Sequence, residues 1–151
     1  MVFAVGIGKV CERDERGTTG LWSVVDFLDG PTLFHREQAI RGATQSIWLM
    51  VWALYDDTTG AETVALLKQR ALDGLDVRVI VDGQVASRPG YDGTRALREA
   101  GIPVKLWRDP ARPGFGVHMK AMVIDGSLLI AGGMNVGDVY SHRGPASKPK
   151  W

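Results

Sequence analysis

The chain has 151 residues, 45% of them hydrophobic and 23% charged, enough for one domain with a buried core and too apolar for a chain disordered throughout. Its 18 Lys and Arg nearly balance 17 Asp and Glu, which excludes an overall electrostatic pull toward nucleic acid or an anionic membrane. A single cysteine, Cys11, excludes an internal disulfide and a cysteine metal cluster, and suits a reducing compartment.

Residues 1–20 show little periodicity and read as a leader or linker. Their apolar start lacks the charged n-region and the length of a secretory signal. Residues 21–28 read as a first strand, closed by the turn signal Asp29-Gly30-Pro31. A helix is expected over residues 32–43, with Leu33, Ala39, Ile40 and Ala43 on its apolar side. Residues 45–54, rich in Ile, Val and Trp, read as a central strand that is too short to span a bilayer as a helix. Neither a signal peptide nor a transmembrane span is expected, so the protein reads as cytoplasmic or peripheral at the cytoplasmic membrane.

Asp56-Asp57-Thr58-Thr59-Gly60 breaks the pattern as a solvated turn. Residues 61–73 follow as a helix, with Val64, Leu67 and Ala71 at helical spacing and Gly74 placed for a left-handed cap. A strand is expected over residues 76–81, a short helix over 92–100 ended by Gly101, and a strand over 102–107. Asp82-Gly83 reads as the turn leaving the earlier strand, with a place on a pocket rim as its alternative. This rhythm of strands and helices argues for an α/β sandwich with partly parallel pairing. Trp22, Trp48, Trp52 and Trp107 fall on expected strands and read as core.

The chemistry concentrates at His118-x-Lys120-x4-Asp125, followed after six residues by Gly132-Gly133-x-Asn135. Residues 119–124 have strand composition, so His118 and Lys120 are expected on one face, with Met122 and Ile124 continuing it inward. Asp125 ends that strand and turns through Gly126-Ser127 into residues 128–131. Imidazole is a competent nucleophile and proton carrier. A lysine ammonium neutralises phosphate oxygens whose charge grows in the transition state. An asparagine amide adds directional donors, and glycines let backbone N–H groups approach an anion. By composition, the first part of the pattern arises in roughly one chain in a hundred of this size. The whole arises in fewer than about one in ten thousand.

The bases Arg88, Arg95, Arg98, Lys105, Arg108, Arg112 and Lys120 outnumber the acids Asp92, Glu99 and Asp109 around the motif, which makes this the segment most favourable to phosphate. Arg112-Pro113-Gly114-Phe115-Gly116, just ahead of it, is glycine-rich and fits a substrate entrance.

With its Gly133 in place of the more usual serine, this pattern resembles the HKD signature of the phospholipase D superfamily in its bacterial cardiolipin synthase form. The likeness extends through Asp29-Gly30, Asp56-Asp57, Gly74-Leu75-Asp76-Val77-Arg78, Asp82-Gly83 and Gly137-Asp138-x-Tyr140, so that it covers about residues 21–140. It implies a phospholipase D-like α/β sandwich, with a mixed, mostly parallel sheet flanked by helices. It also implies phosphodiester hydrolysis or transfer through a phosphohistidine, without metal or cofactor, on a phospholipid such as phosphatidylglycerol. His118 would be nucleophile or acid, Lys120 and Asn135 would hold the phosphate with Gly132 and Gly133, and Asp125 would support the motif's geometry as part of the catalytic set.

Such a site needs two motifs, and only one is present. His35 and His142 lack a Lys two residues on and read as surface histidines. Residues 141–151, ending in Pro149-Lys150-Trp151, read as a tail leading to a second half that would carry the other histidine and an orienting acid. Asp138 is a poor stand-in for that acid. The alternatives are a single-motif homodimeric nuclease of the same superfamily and a non-catalytic interaction module.

Overall fold

The computed structural model describes residues 7–13, 19–26, 31–108, 111–112 and 114–141, with side chains described from Arg36 onward. The turn residues Asp29-Gly30, the side chains of Trp22, Leu33 and His35, and the tail from His142 lie outside the described residues.

Ile7–Arg13 (β1) pairs antiparallel with Thr19–Asp26 (β2). The reading of residues 1–20 as leader or linker is corrected there: edge pairing demands little apolar periodicity, because backbone bonds alone build the ladder. Pro31–Gly42 (α1) leads to Ser46–Val51 (β3), then Thr58–Leu72 (α2), Asp76–Asp82 (β4), Gly93–Glu99 (α3) and Val104–Trp107 (β5). Ala121–Ile124 (β6) and Leu128–Ala131 (β7) close the sheet, and a short 3-10 turn spans Asp138–Tyr140.

The sheet has the order β1-β2-β7-β6-β3-β4-β5. Pairs β2–β7, β3–β4 and β4–β5 are parallel, while β1–β2, β3–β6 and β6–β7 are antiparallel. The sheet is thus mixed, with three parallel and three antiparallel pairings and five of its seven strands running the same way. In consequence β2, β3, β4, β5 and β7 all run toward one edge, and β6 starts from it.

Alternation along the strands decides which face is core. Ile47, Leu49 and Val51 of β3, Val77, Val79 and Val81 of β4, and Met122 and Ile124 of β6 are all buried. Ile40 of α1, Val64 and Leu67 of α2 and Leu97 of α3 join them in one cluster. Each such aliphatic side chain contributes about 1.5–3 kcal/mol through burial. The opposite face carries Trp48, which is 48% exposed and so is not core. Its indole N–H donates to Asp76 at 3.1 Å and its ring lies 5.6 Å from the Arg78 guanidinium. Trp52 and Trp107 are half-buried.

Asp56-Asp57 is more than a solvated turn. Asp57 caps α2, its carboxylate accepting from Gly60 N at 2.9 Å and from Asp138 N at 2.6 Å. Asp138 in turn accepts from Thr59 N at 2.8 Å, so two carboxylates sit at the positive end of one helix. No described helix is long and apolar enough to cross a membrane.

Candidate active site

The strand directions bring His118 and Lys120, Gly132 to Asn135, Trp52 to Tyr55 and Asp82 to one edge of the sheet. Regular pairing of β6 begins at Ala121 opposite Met50, because β3 leaves the ladder at Val51. His118 and Lys120 therefore lie just before the strand, not within it as their spacing predicts. His118 is exposed, whereas Lys120 is only 5% exposed and its ammonium donates to the His118 carbonyl at 2.6 Å. That bond occupies one of three ammonium donors and leaves two for an anion. Burial holds the Lys120 pKa below the ordinary lysine value.

The two halves of the motif are tied together by Gly132 N, which donates to Lys120 O at 3.2 Å. Gly132 and Gly133 are exposed beside them. Asn135 is buried: its Oδ1 accepts from Ala53 N at 3.2 Å and its Nδ2 donates to the Tyr140 hydroxyl at 3.0 Å. Tyr140 thus takes one of the two amide N–H donors. The loop is anchored from below by Arg36, whose guanidinium donates to Met134 O at 2.8 Å and to Asn135 O at 3.5 Å. Desolvation lowers the pKa of this buried arginine to about 10.

Asp125 does not join this group. It sits at the other end of β6, five residues or about 16 Å beyond Lys120 by strand rise. Its carboxylate accepts from Thr44 N, Thr44 Oγ1, Gln45 N and Ser46 N, at 2.7 to 2.9 Å. Burial raises its pKa, but the bonds from Ser46, Gln45 and Thr44 outweigh it and bring the carboxyl to about 2. With φ of 51° at Asp125 and 63° at Gly126, both residues adopt left-handed backbone in the tight β6–β7 hairpin connection, where Ser127 N donates to Ile124 O at 3.0 Å. Asp125 therefore supports the motif by locking that hairpin onto the start of β3, and its assignment to the catalytic set is corrected on this geometry.

Trp52, Arg36 and Tyr140 are site residues the motif does not announce. Trp52 meets His118 with ring centroids 5.6 Å apart. It has the parity of Trp48 and Met50, whose register partners are Val123 and Ala121. Continued, that register sets Trp52 opposite Met119, so the contact with His118 arises only where the chain leaves the strand and its spacing does not announce it. Arg36 falls four residues before Ile40, on the apolar side of the expected helix, where a base is out of pattern. Asp138 is engaged at the α2 N-terminus, its Oδ1 accepting from Thr59 N at 2.8 Å. Phe115 is 59% exposed under the Arg112 guanidinium, 4.6 Å from its ring centre, which leaves the loop ahead of His118 open to solvent.

Residues 37–140 match the protein family described as cardiolipin synthase, PLD-like domain. The chain belongs to this family. This PLD-like chain is 35% identical over 124 residues to a cardiolipin synthase of Halalkalibacterium halodurans, covering 78% of the chain and 25% of that protein. It is 30% identical over 118 residues to cardiolipin synthase A of Pseudomonas fluorescens SBW25, covering 74% of the chain and 25% of that protein. It thus spans about a quarter of the length of the curated relatives it matches. Among solved structures, Nuc, a phospholipase D family member from Salmonella typhimurium, superposes with a TM-score of 0.61 at 18% identity, covering 74% of the chain and 68% of Nuc. NucT from Helicobacter pylori superposes with a TM-score of 0.58 at 16% identity, over 74% of the chain and 72% of that one. These two likenesses establish the PLD-like fold.

Proposed function

We propose that the chain supplies one half-site for phosphodiester transfer through a phosphohistidine, acting on phospholipids in the manner of a cardiolipin synthase-like phosphatidyltransferase. The observation that carries this reading is the tie between Gly132 N and Lys120 O. It holds a reactive imidazole, a half-sequestered ammonium and an exposed glycine pair on one edge of a rigid sheet. An imidazole nitrogen of His118 attacks phosphorus, and the N–P bond forms as the P–O bond to the leaving alcohol breaks. Lys120 with the Gly133 backbone N–H stabilises the non-bridging oxygens, Gly132 allowing the close approach while its own N–H ties the loop to Lys120. A second histidine protonates the departing alkoxide. It comes from another HKD motif or from a second copy of this chain. Asn135 contributes through the amide N–H that Tyr140 leaves. The reaction places the protein at a phospholipid surface, peripherally.

Relatives named cardiolipin synthase, at up to 35% identity, support phospholipid over nucleic acid as substrate, as does the near-neutral charge. A homodimeric nuclease is the second reading. The test is incubation with phosphatidylglycerol vesicles, single-stranded DNA and double-stranded DNA, each with wild type and His118→Ala. Lipid turnover, or a lipid-derived adduct, that vanishes with His118→Ala is expected. DNA cleavage without lipid turnover would replace the substrate class, and activity surviving His118→Ala would overturn the mechanism.

A further inference from the structure

Asp82 closes β4 at the carboxyl edge of the parallel strands, the edge where open α/β sheets build their sites. It is 2% exposed, and a buried carboxylate is retained only where its oxygens are satisfied. Its Oδ1 accepts from Gln84 N at 2.9 Å and Val85 N at 3.0 Å, the local bonds of an aspartate-led turn. Its Oδ2 does something the turn does not require: it accepts from Val117 N at 3.0 Å, 35 residues further on.

The chain ahead of Val117 is shaped to this oxygen. A Cβ at Gly116 would lie 2.0 Å from Asp82 Oδ2, so the loop passes the carboxylate at a distance only glycine allows. Val117 immediately precedes His118, in a stretch without regular secondary structure. On its other side His118 is held through its own carbonyl by Lys120 and through its ring by Trp52.

We propose that Asp82 is a positioning residue for His118, acting through the Val117 amide and the close passage of Gly116. This rests on the reading of His118 as the group that attacks phosphorus. Asp82 fixes the peptide before His118 to the end of β4, so the imidazole enters the reaction already placed. Misplacement of a reacting group by about 1 Å costs on the order of 100-fold in rate, and a loop end with no such anchor has that freedom.

The test uses the full chain and bis(p-nitrophenyl) phosphate, whose leaving group departs without help from an acid, so one half-site suffices. Asp82→Asn removes one acceptor, and Gly116→Ala forces the loop and Oδ2 apart. In both variants the Val117 amide is expected to exchange with solvent at least about 10-fold faster, and the nitrophenolate burst to slow about 10-fold or more, at nearly unchanged half-saturation. A wild-type burst rate in folded Gly116→Ala, or unchanged Val117 exchange in folded Asp82→Asn, overturns the proposal. If Asp82→Asn does not fold, Gly116→Ala decides alone. A burst surviving His118→Ala would instead overturn the reading of His118 itself, whatever the Asp82 variants do.

Discussion

The indole of Trp52 meets the imidazole of His118 edge to face, with planes inclined at 62°. Such aromatic pairs are worth about 0.5–1.5 kcal/mol beyond burial. Trp52→Ala should therefore slow reaction of His118 with an activated diester by up to about tenfold with little change in half-saturation, while Trp52→Phe keeps most of the rate. Burst kinetics on the three proteins check this; equal rates would reduce Trp52 to packing.

Asp125 carries a stability prediction with a defined sign. Its folded pKa, about 2, lies below the ordinary carboxylate value of about 4. The stabilisation is therefore complete above that ordinary value and is lost as pH falls from about 4 toward 2. Asp125→Asn tolerates the left-handed backbone but turns one acceptor into a donor facing N–H groups. It should cost about 1–3 kcal/mol at neutral pH, with the gap to wild type closing in acid. Urea unfolding at several pH values measures it. The folded variant should keep its full burst amplitude, because Asp125 lies at the far edge from His118.

Arg36→Met removes the donor to Met134 O and Asn135 O while conserving much of the volume. One buried and one partly buried carbonyl lose that partner, and the expected destabilisation is about 2–4 kcal/mol. Denaturant midpoints test this. Restoration of stability by Arg36→Lys would show that charge alone, rather than the fork of donors, holds the loop.

Lys120 sets a pH limb. Burial lowers its pKa from the ordinary 10.5, so its charge is lost as pH rises, before that of an exposed lysine. Affinity for dimethyl phosphate, whose own charge stays constant, should fall with rising pH at alkaline values still below 10.5. Lys120→Met should abolish this limb and weaken binding roughly 10-fold or more. A pH-independent affinity in wild type would remove Lys120 from the anion site.

Much of the fold is legible because the period-two burial of β3, β4 and β6 is written as runs of Ile, Val and Leu. Gly74 and Gly101, at φ of 91° and 79°, mark helix ends as their positions predict. The motif likewise names His118, Lys120 and the glycine pair, since spacing along one β hairpin brings them together. What the sequence does not disclose is long-range. Asp125 to Thr44, Asp82 to Val117, Arg36 to Met134 and Asn135 to Tyr140 depend on strand order and loop path. The exposure of Trp48 was illegible for a related reason: its strand is central, yet the helices that bury β3 all pack on the opposite face.

The most direct measurement is a single-turnover reaction of the chain with bis(p-nitrophenyl) phosphate, followed by mass mapping of the protein. The half-site described here predicts a burst approaching one nitrophenolate per chain, with an acid-labile aryl phosphate on His118 and none in His118→Ala. A burst without covalent modification of His118, or an equal burst from His118→Ala, would contradict it.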